Sequence, residues 1–224
     1  MTDSRVVQAD FDQIAQLSPS AFDHNAYYHD FLLKALQPHM NQALDVGCGT
    51  GRFTRLLAAR ADQVLALDLS ANMIAAARRQ SAAFKNIDFR QADTLAWEWP
   101  TEQFDTIVSV ATLHHLPAEY VLTKMKAALR SGGALAVLDI RRAANIAERV
   151  LLGAVEFPSS LMLHLLNTGR LRQDPEARRA WVEHGKTDRY LSVEEVRRVC
   201  LPILPGAIIR RHLLWRYSLV WRKP

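Results

Sequence analysis

Three glycines at alternate positions, Gly47, Gly49 and Gly51, follow a short apolar run in this sequence. Glycine lets the backbone adopt positive φ and lets a ligand approach without meeting a Cβ. A helical pattern starts at once at Arg52, and the N-terminus of a helix offers free N–H groups and a partial positive charge. This spacing predicts a strand, a tight turn and a helix that together hold a nucleotide-like cofactor.

Two aspartates follow the next two predicted strands. Asp68 ends the strand predicted at residues 63–67, and Asp93 follows the strand predicted at residues 87–89. Because the carboxyl ends of parallel strands meet at one edge of a sheet, both carboxylates should face the crevice beside the glycine turn. Asp68 can accept hydrogen bonds from the ribose hydroxyls of an adenosine, and Asp93 from the exocyclic amine of adenine. Either aspartate alone is as well explained as a turn residue, so the predicted adenosine site rests on all three elements.

Two adjacent histidines, His114 and His115, follow the fourth predicted strand. An imidazole near its free pKa can take a proton from a phenol, a thiol or a carbon acid, so both are candidate catalytic residues. The alternative is that one forms the turn into the next helix and the other faces solvent. Catalysis would then rest on positioning, because holding an acceptor in line contributes about 7–11 kcal/mol.

The composition indicates a globular protein. The chain has 224 residues, 49% of them apolar, which is enough for one sizeable core. Lys and Arg outnumber Asp and Glu by 28 to 23, and many of the arginines occur as scattered pairs. We interpret them as a solvated surface, which argues against nucleic acid as the partner.

Neither of the two cysteines, Cys48 and Cys200, belongs to a Cys-x-x-Cys or Cys/His ligand pattern. We therefore expect no disulfide, no metal and a reducing, cytoplasmic environment. The first residues form no apolar segment, so no signal peptide is expected. The longest apolar stretch, residues 150–166, is interrupted by charged residues and a proline, and we expect no membrane span. The sequence leaves a monomer and a homodimer open.

Apolar runs alternate with helical patterns through the middle of the chain, which is typical of a parallel sheet with helices on both faces. Strands are predicted at residues 43–46, 63–67, 87–89, 104–110 and 134–140, and helices at residues 52–60, 71–80 and 118–129. Segments 207–214 and 217–221 predict an antiparallel hairpin on the edge of the sheet. The predicted fold class is α/β, with a Rossmann-like, mostly parallel sheet of seven strands.

A single domain with four parts is expected. Residues 1–40 form an N-terminal helical lid, and residues 41–142 form the cofactor-binding core. Residues 143–190 form a helical insertion on the substrate side, and residues 191–224 form a helix and the hairpin.

The insertion contains an apolar stripe, which is either core or a surface that suits an apolar or aromatic acceptor. Arg141, Arg142 and Arg149 lie at its start. They are candidates for binding a carboxylate on the acceptor, or are ordinary surface arginines.

These elements, in this order and at this spacing, resemble the class I S-adenosylmethionine-dependent methyltransferases, and in particular the small-molecule group that includes the ubiquinone and menaquinone enzymes. The resemblance rests on the glycine turn, Asp68 and Asp93, and extends to residues 104–108 and 129–133. It covers about residues 40–140. It implies S-adenosylmethionine as cofactor, S-adenosylhomocysteine as product, and in-line methyl transfer to a small, largely apolar or aromatic metabolite.

The resemblance also implies which residues surround the cofactor. The methionine part and the turn are assigned to Asp45, Gly47, Cys48, Gly49 and Gly51. The ribose is assigned to Asp68 and Leu69, the adenine to Met73, Ala92, Asp93 and Thr94, and the floor of the site to Val110 and Ala111. Tyr28, in a lid segment at residues 22–28, either reaches the methionine carboxylate or packs in the core.

Departures from related patterns bear on the alternatives. Residues 111–117 contain neither an Asn-Pro-Pro-Tyr motif nor a cysteine, which argues against methylation of exocyclic amines and of cytosine C5. The glycines do not follow the G-x-G-x-x-G spacing of nicotinamide enzymes. Two alternatives stay open: a methyltransferase acting on RNA or another macromolecule, suggested by the arginine excess, and a non-catalytic regulatory module that binds the cofactor.

Overall fold

The computed structural model describes residues 4–16, 24–169, 175–185 and 188–224. Its strands are β1 (Met40–Val46), β2 (Ala61–Asp68), β3 (Ile87–Gln91), β4 (Phe104–Val110), β5 (Leu129–Ile140), β6 (Ile208–Arg211) and β7 (Arg216–Arg222). They form one seven-stranded sheet in the order β3-β2-β1-β4-β5-β7-β6.

The helices surround this sheet. They are α1 (Ser4–Ile14), α2 (His29–Ala35), α3 (Arg52–Ala58), α4 (Ala71–Gln80), α5 (Ala118–Ala128), α6 (Ile146–Thr168), α7 (Pro175–His184) and α8 (Val193–Ile203). Two 3-10 turns, Ala26–Tyr28 and Leu113–His115, precede α2 and α5.

The first five strands are parallel, and the C-terminal hairpin is antiparallel. Leu44 of β1 lies between Leu65 of β2 and Ile107 of β4. β7 pairs antiparallel with both β5 and β6. These registers bring the carboxyl ends of β1, β2 and β4 to one edge, and they confirm the predicted fold class.

Each face of the sheet has its own apolar core, because the central strands are buried on both sides. On one face, Val121 and Met125 of α5 pack with Val196 of α8. On the other face, Leu32 of α2 packs with Leu57 of α3. The cores hold the strands rigid, so the loops at their carboxyl ends are presented by a fixed scaffold.

One predicted strand begins earlier in the structure than in the sequence analysis. The strand predicted at residues 134–140 is β5, which starts at Leu129, directly after α5, and includes the glycine pair at residues 132–133. The Gly132 N–H donates to the Lys223 carbonyl beside β7, so pairing within the sheet extends β5 toward its N-terminus. The last helix, α8, continues past Pro202 to Ile203.

The charged residues and the proline in the apolar stretch at residues 150–166 do not end the helix. The stretch lies within α6, which is one helix of 23 residues with Pro158 inside it. Residues 146–166 are long and apolar enough, by length and composition, to cross a membrane. Its inner face carries Glu156, which is fully buried and binds Arg141. The stretch is therefore continuous enough to form one long helix, and the expectation of no membrane span stays a prediction.

Candidate cofactor and acceptor site

The glycine turn joins β1 to α3 and takes the predicted backbone conformation. Gly47 and Gly49 have φ values of 75° and 52°, which lie in the left-handed region that favours glycine. A Cβ on Gly47 would come within 2.1 Å of Thr112 Oγ1, so the two chain segments touch there. A Cβ on Gly49 would meet no atom within 4 Å. The turn therefore opens at Gly49 onto free space beside the strand ends.

Asp68 lies at the end of β2 and holds this turn. Its Oδ2 accepts a hydrogen bond of 2.8 Å from the Gly49 N–H, and its Oδ1 accepts one of 2.9 Å from the Ser70 N–H. Burial raises the pKa of the carboxyl group, although these backbone donors act against the rise. The structure thus brings Asp68 to the glycine turn as predicted, and gives it a second role in ordering the turn.

Asp45 lies within β1, two residues before Gly47, and is almost fully buried. Its Oδ2 accepts a hydrogen bond of 2.6 Å from the Thr54 hydroxyl of α3. Burial raises the pKa of Asp45 to about 7, the Thr54 hydrogen bond lowers it in part, and the charge of Asp68 raises it further. The buried Asp45 and the half-buried Asp68 therefore flank one glycine turn, which favours a cationic ligand group at this point.

Four more predicted residues surround the same turn. Cys48 is buried, and burial raises the pKa of its thiol well above the usual range, so it supplies backbone rather than a reactive thiolate. Gly51 begins α3 as its N-cap residue. Met73 is buried in the first turn of α4, and its N–H donates to the Ser70 side chain, next to half-buried Leu69.

The residues predicted around adenine follow β3. Asp93 Oδ1 accepts a hydrogen bond of 2.9 Å from the Leu95 N–H, which caps the local turn. The Ala92 N–H donates to the Asp68 carbonyl at 2.9 Å, so this N–H is not available to a nitrogen of the adenine ring. Thr94 is buried, and its carbonyl accepts from Trp99. The segment lies beside Asp68, with Asp93 only half-buried.

Val110 ends β4, and Ala111 turns the chain sharply after it. Ala111 has φ of 52°, which is uncommon for a residue with a side chain. Its N–H donates to the Leu138 carbonyl of β5 at 2.8 Å. The turn brings Thr112 over Gly47 and delivers the next two histidines to the edge of the sheet.

Tyr28 does not take the predicted ligand-binding position. Its hydroxyl donates to the Leu213 carbonyl at 2.8 Å, and its ring packs in the core on the α2 face. Burial, with the nearby Tyr27, raises the pKa of Tyr28 to about 12. Residues 22 and 23 of the predicted lid segment lie outside the described residues.

His114 forms an imidazole–carboxylate pair with Asp139 at the end of β5. The distance from Nδ1 to Oδ1 is 2.5 Å, and the side chains are 4% and 1% exposed. Burial lowers the pKa of His114, but the charge and hydrogen bond of Asp139 outweigh it and the net shift is upward. Burial lowers the pKa of His115. The two histidines therefore differ in electrostatic character, and neither faces solvent.

Sequence reasoning missed Asp188, which lies against both histidines. Its carboxylate is 3.2 Å from His115 Nδ1 and 3.7 Å from His114 Nε2. Tyr190 donates a hydrogen bond of 2.5 Å to Asp188 Oδ2. Burial alone would raise the pKa of Asp188, but His115, Tyr190 and His184 together lower it to about 2. No local motif surrounds Asp188 in the sequence, so no signal marked it.

A cavity of about 680 Å³ opens beside these histidines. Its walls include His114 and His115 together with Leu116, Val196 and Val199. Most of the wall is apolar, as in small-molecule pockets generally.

Two of the three arginines that were candidates for binding an acceptor carboxylate form ion pairs with glutamates instead. Arg141 is buried and binds Glu148 and Glu156 at 3.1 and 3.0 Å. Arg142 binds Glu195 at 2.6 Å. The structure therefore does not support an acceptor carboxylate held by this pair.

The residues around the glycine turn fit S-adenosylmethionine. No described side chain blocks the approach to Gly49, the buried Asp45 carboxyl suits a nearby ammonium group, and the Asp68 oxygens retain lone pairs for a ribose hydroxyl. This fit rests on the described residues of the turn and the three strand ends.

Comparison with known proteins agrees with this geometry. The sequence model of a family described as "Methyltransferase domain" matches residues 43–133. An uncharacterized methyltransferase of Mycobacterium tuberculosis is 31% identical over 201 residues, which cover 88% of this chain and 95% of that protein. Trans-aconitate 2-methyltransferase of Rhizobium etli is 36% identical over 111 residues, which cover 48% of this chain and 42% of that protein.

A solved structure with the same fold is the N-methyltransferase NodS from Bradyrhizobium japonicum in complex with S-adenosyl-l-homocysteine. The TM-score is 0.66 at 18% identity, with 97% of this chain and 98% of that chain covered. The likeness extends over the helices around the sheet as well as the sheet itself.

Proposed function

Since the chain belongs to the class I S-adenosylmethionine-dependent methyltransferases, we propose that it methylates a small, largely apolar or aromatic metabolite. S-adenosylmethionine is the cofactor, and when bound it supplies a methyl group on a positively charged sulfur. The observation that carries the choice of acceptor is the apolar cavity beside His114 and His115. The trans-aconitate relative, whose name gives a small-molecule acceptor, supports the same size class.

The residues of this chain contribute mainly by position. Asp45 and Asp68 fix the glycine turn and orient the cofactor, while Gly47 and Thr112 lock the loop after β4 against that turn. Alignment of this kind contributes about 7–11 kcal/mol to a displacement reaction. An apolar wall does not oppose the reaction, because the sulfur loses its charge during transfer.

A proton acceptor is available if the methylated atom carries a proton. His114 is held by Asp139 in one orientation, as general bases commonly are. We propose His114 as the group that accepts the proton and His115 as its neighbour lining the cavity.

Transfer of labelled methyl groups to fractions of a cell extract tests this proposal. We expect label from methyl-labelled S-adenosylmethionine to enter the solvent-extractable small-molecule fraction, and Asp68→Ala to abolish that signal. The exposed Asp62, at the other end of β2, provides the control variant Asp62→Ala, which should retain it.

Two results would contradict the proposal. Label in RNA or protein, with an association that falls steeply with salt, would favour the macromolecular alternative raised by the arginine excess. Binding of the cofactor without label in any fraction would favour the regulatory module.

A further inference from the structure

A cluster of imidazole and carboxylate groups surrounds Asp188 beside the apolar cavity, and its chemistry goes beyond methyl transfer. Three groups, His114, His115 and Asp188, each offer one ligand atom, and these atoms lie within 4.8 Å of one another. Their side chains are 4%, 5% and 2% exposed. A buried set of two imidazoles and one carboxylate is a donor set that divalent transition metals prefer.

Two of the distances are close to those in a four-coordinate site. Metal–ligand bonds of about 2.0–2.2 Å in a tetrahedral site place neighbouring ligand atoms about 3.3–3.6 Å apart. One Asp188 oxygen lies 3.2 Å from His115 Nδ1, and the other lies 3.7 Å from His114 Nε2. An ion bound by all three groups would draw together ligand atoms that already lie within 4.8 Å of one another.

Unpaired polar atoms point to a missing ligand at the same place. Among the described residues, His115 Nε2 is buried without a hydrogen-bond partner, and His115 Nδ1 and Asp188 Oδ1 have no partner beyond their mutual contact of 3.2 Å. Because a buried polar group without a partner costs about 1–3 kcal/mol, a cation held by both groups offsets that cost.

Supporting groups have the arrangement found around protein metal ligands. The other ring nitrogen of His114 binds Asp139, which fixes its orientation with Nε2 toward Asp188. Tyr190 donates to the Asp188 carboxylate. Metal-bound histidines usually direct their second nitrogen to a carboxylate in this way.

We propose that His114 Nε2, His115 Nδ1 and the Asp188 carboxylate bind one divalent transition-metal ion, with Zn²⁺ as the best match to this donor set. The ion would occupy the same His114 nitrogen that accepts a proton in the metal-free protein, so the two roles of His114 exclude each other. Three protein ligands leave a fourth position open, and both histidines line the apolar cavity.

The site would also join distant parts of the chain. His184 of α7 lies 3.7 Å from the Asp188 carboxylate and 3.0 Å from Asp10 of α1, and Phe11 packs edge-on against His184 and His115. A bound ion would therefore fasten α1 and α7 to the loop after β4. We expect Zn²⁺ to raise the thermal unfolding temperature, since a ligand that binds the folded state stabilises it.

Titration of chelator-treated, untagged full-length protein with Zn²⁺ and Co²⁺ tests the proposal. We expect one equivalent of Zn²⁺ and, in the Co²⁺ form, the visible absorption of a four-coordinate ion. His115→Ala and Asp188→Asn should each weaken Zn²⁺ binding by about 100-fold or more, and Asp139→Asn by about 10–100-fold. His39→Ala is the matched control, because His39 lies exposed beside Asp62, and it should leave the affinity unchanged.

Binding of less than one equivalent by the wild type would overturn the proposal, as would variants at His115 and Asp188 that bind Zn²⁺ as tightly as the wild type. The second result would identify an adventitious ion. Metal content and absorption are measured without any methyl acceptor, so failure here is distinguishable from failure of the proposed function.

Discussion

Gly47 and Thr112 lie in direct contact, although Gly47 follows the first strand of the sheet and Thr112 follows the fourth. The Thr112 hydroxyl approaches the Gly47 carbonyl at 3.3 Å, and a Cβ on Gly47 would lie 2.1 Å from Thr112 Oγ1. This contact sets the distance between the cofactor turn and the loop that carries His114 and His115.

Gly47→Ala is expected to disrupt this contact. The new methyl group collides with Thr112, and φ of 75° is strained for alanine. We expect the free energy of unfolding to fall by about 1–3 kcal/mol, and binding of S-adenosylhomocysteine to weaken by at least tenfold. Urea unfolding and calorimetry measure the two effects.

Gly153→Ala is the matched control for that substitution. Gly153 lies in α6, and a Cβ there would meet no atom within 4 Å. Because alanine favours a helix over glycine by about 1 kcal/mol, this variant should be as stable as the wild type or more so. Equal stability of Gly47→Ala and the wild type would contradict the role given to the contact.

Asp45 should make stability depend on pH. Its pKa is about 7 in the folded protein and about 3.8 when unfolded, so between these values the folded state keeps a proton that the unfolded state releases. Stability should therefore fall as pH rises from about 4 to about 7, and this contribution is lost above pH 7. The fall in the wild type should reach up to about 1.4 kcal/mol per pH unit. An asparagine at position 45 does not titrate, so we expect Asp45→Asn to lack this fall.

Urea unfolding of the wild type and of Asp45→Asn at pH 5 and pH 8 measures the difference. Asp62→Asn, on the exposed start of β2, serves as the control and should retain the wild-type pH dependence. The account of Asp45 fails if Asp45→Asn and the wild type lose stability equally between the two pH values.

Arg141 and Arg142 are neighbours in sequence, but substitution should affect them very differently. Arg141 is 3% exposed and binds fully buried Glu156, whereas Arg142 is 48% exposed and binds Glu195. Arg141→Leu leaves an unpaired buried carboxylate and should cost about 3–5 kcal/mol of stability. Arg142→Leu should cost less than about 1 kcal/mol. Chemical denaturation of both variants measures the two losses of stability. Equal losses would contradict the buried Arg141–Glu156 ion pair.

The sequence predicted the parts of this structure that depend on local pattern. The turn at Gly47 and Gly49 and the strand end at Asp68 were recognisable because a strand, a glycine turn and a helix are adjacent in the chain. The parallel arrangement of the first five strands followed, because continuous apolar strands that are covered on both faces are typical of parallel sheets.

The parts that were not predictable depend on contacts between distant segments. The contact between Asp188 and His115 joins two segments that lie far apart in the chain. Tyr28 was ambiguous because its hydroxyl has a partner, the Leu213 carbonyl, far along the chain. Arg141 was a candidate for binding an acceptor carboxylate or an ordinary surface arginine, because its partner Glu156 lies in a helix whose buried face was not evident from composition.

Calorimetric titration of S-adenosylhomocysteine into the wild type, Asp68→Ala and Asp62→Ala tests the central claim most directly. We expect one binding site in the wild type, unchanged affinity in Asp62→Ala, and affinity weakened by about 10–100-fold or more in Asp68→Ala, since hydrogen bonds to a charged group contribute about 1.5–3 kcal/mol. Absence of binding by the folded wild type, or wild-type affinity in Asp68→Ala, would contradict the assignment of the glycine turn and Asp68 as the cofactor site.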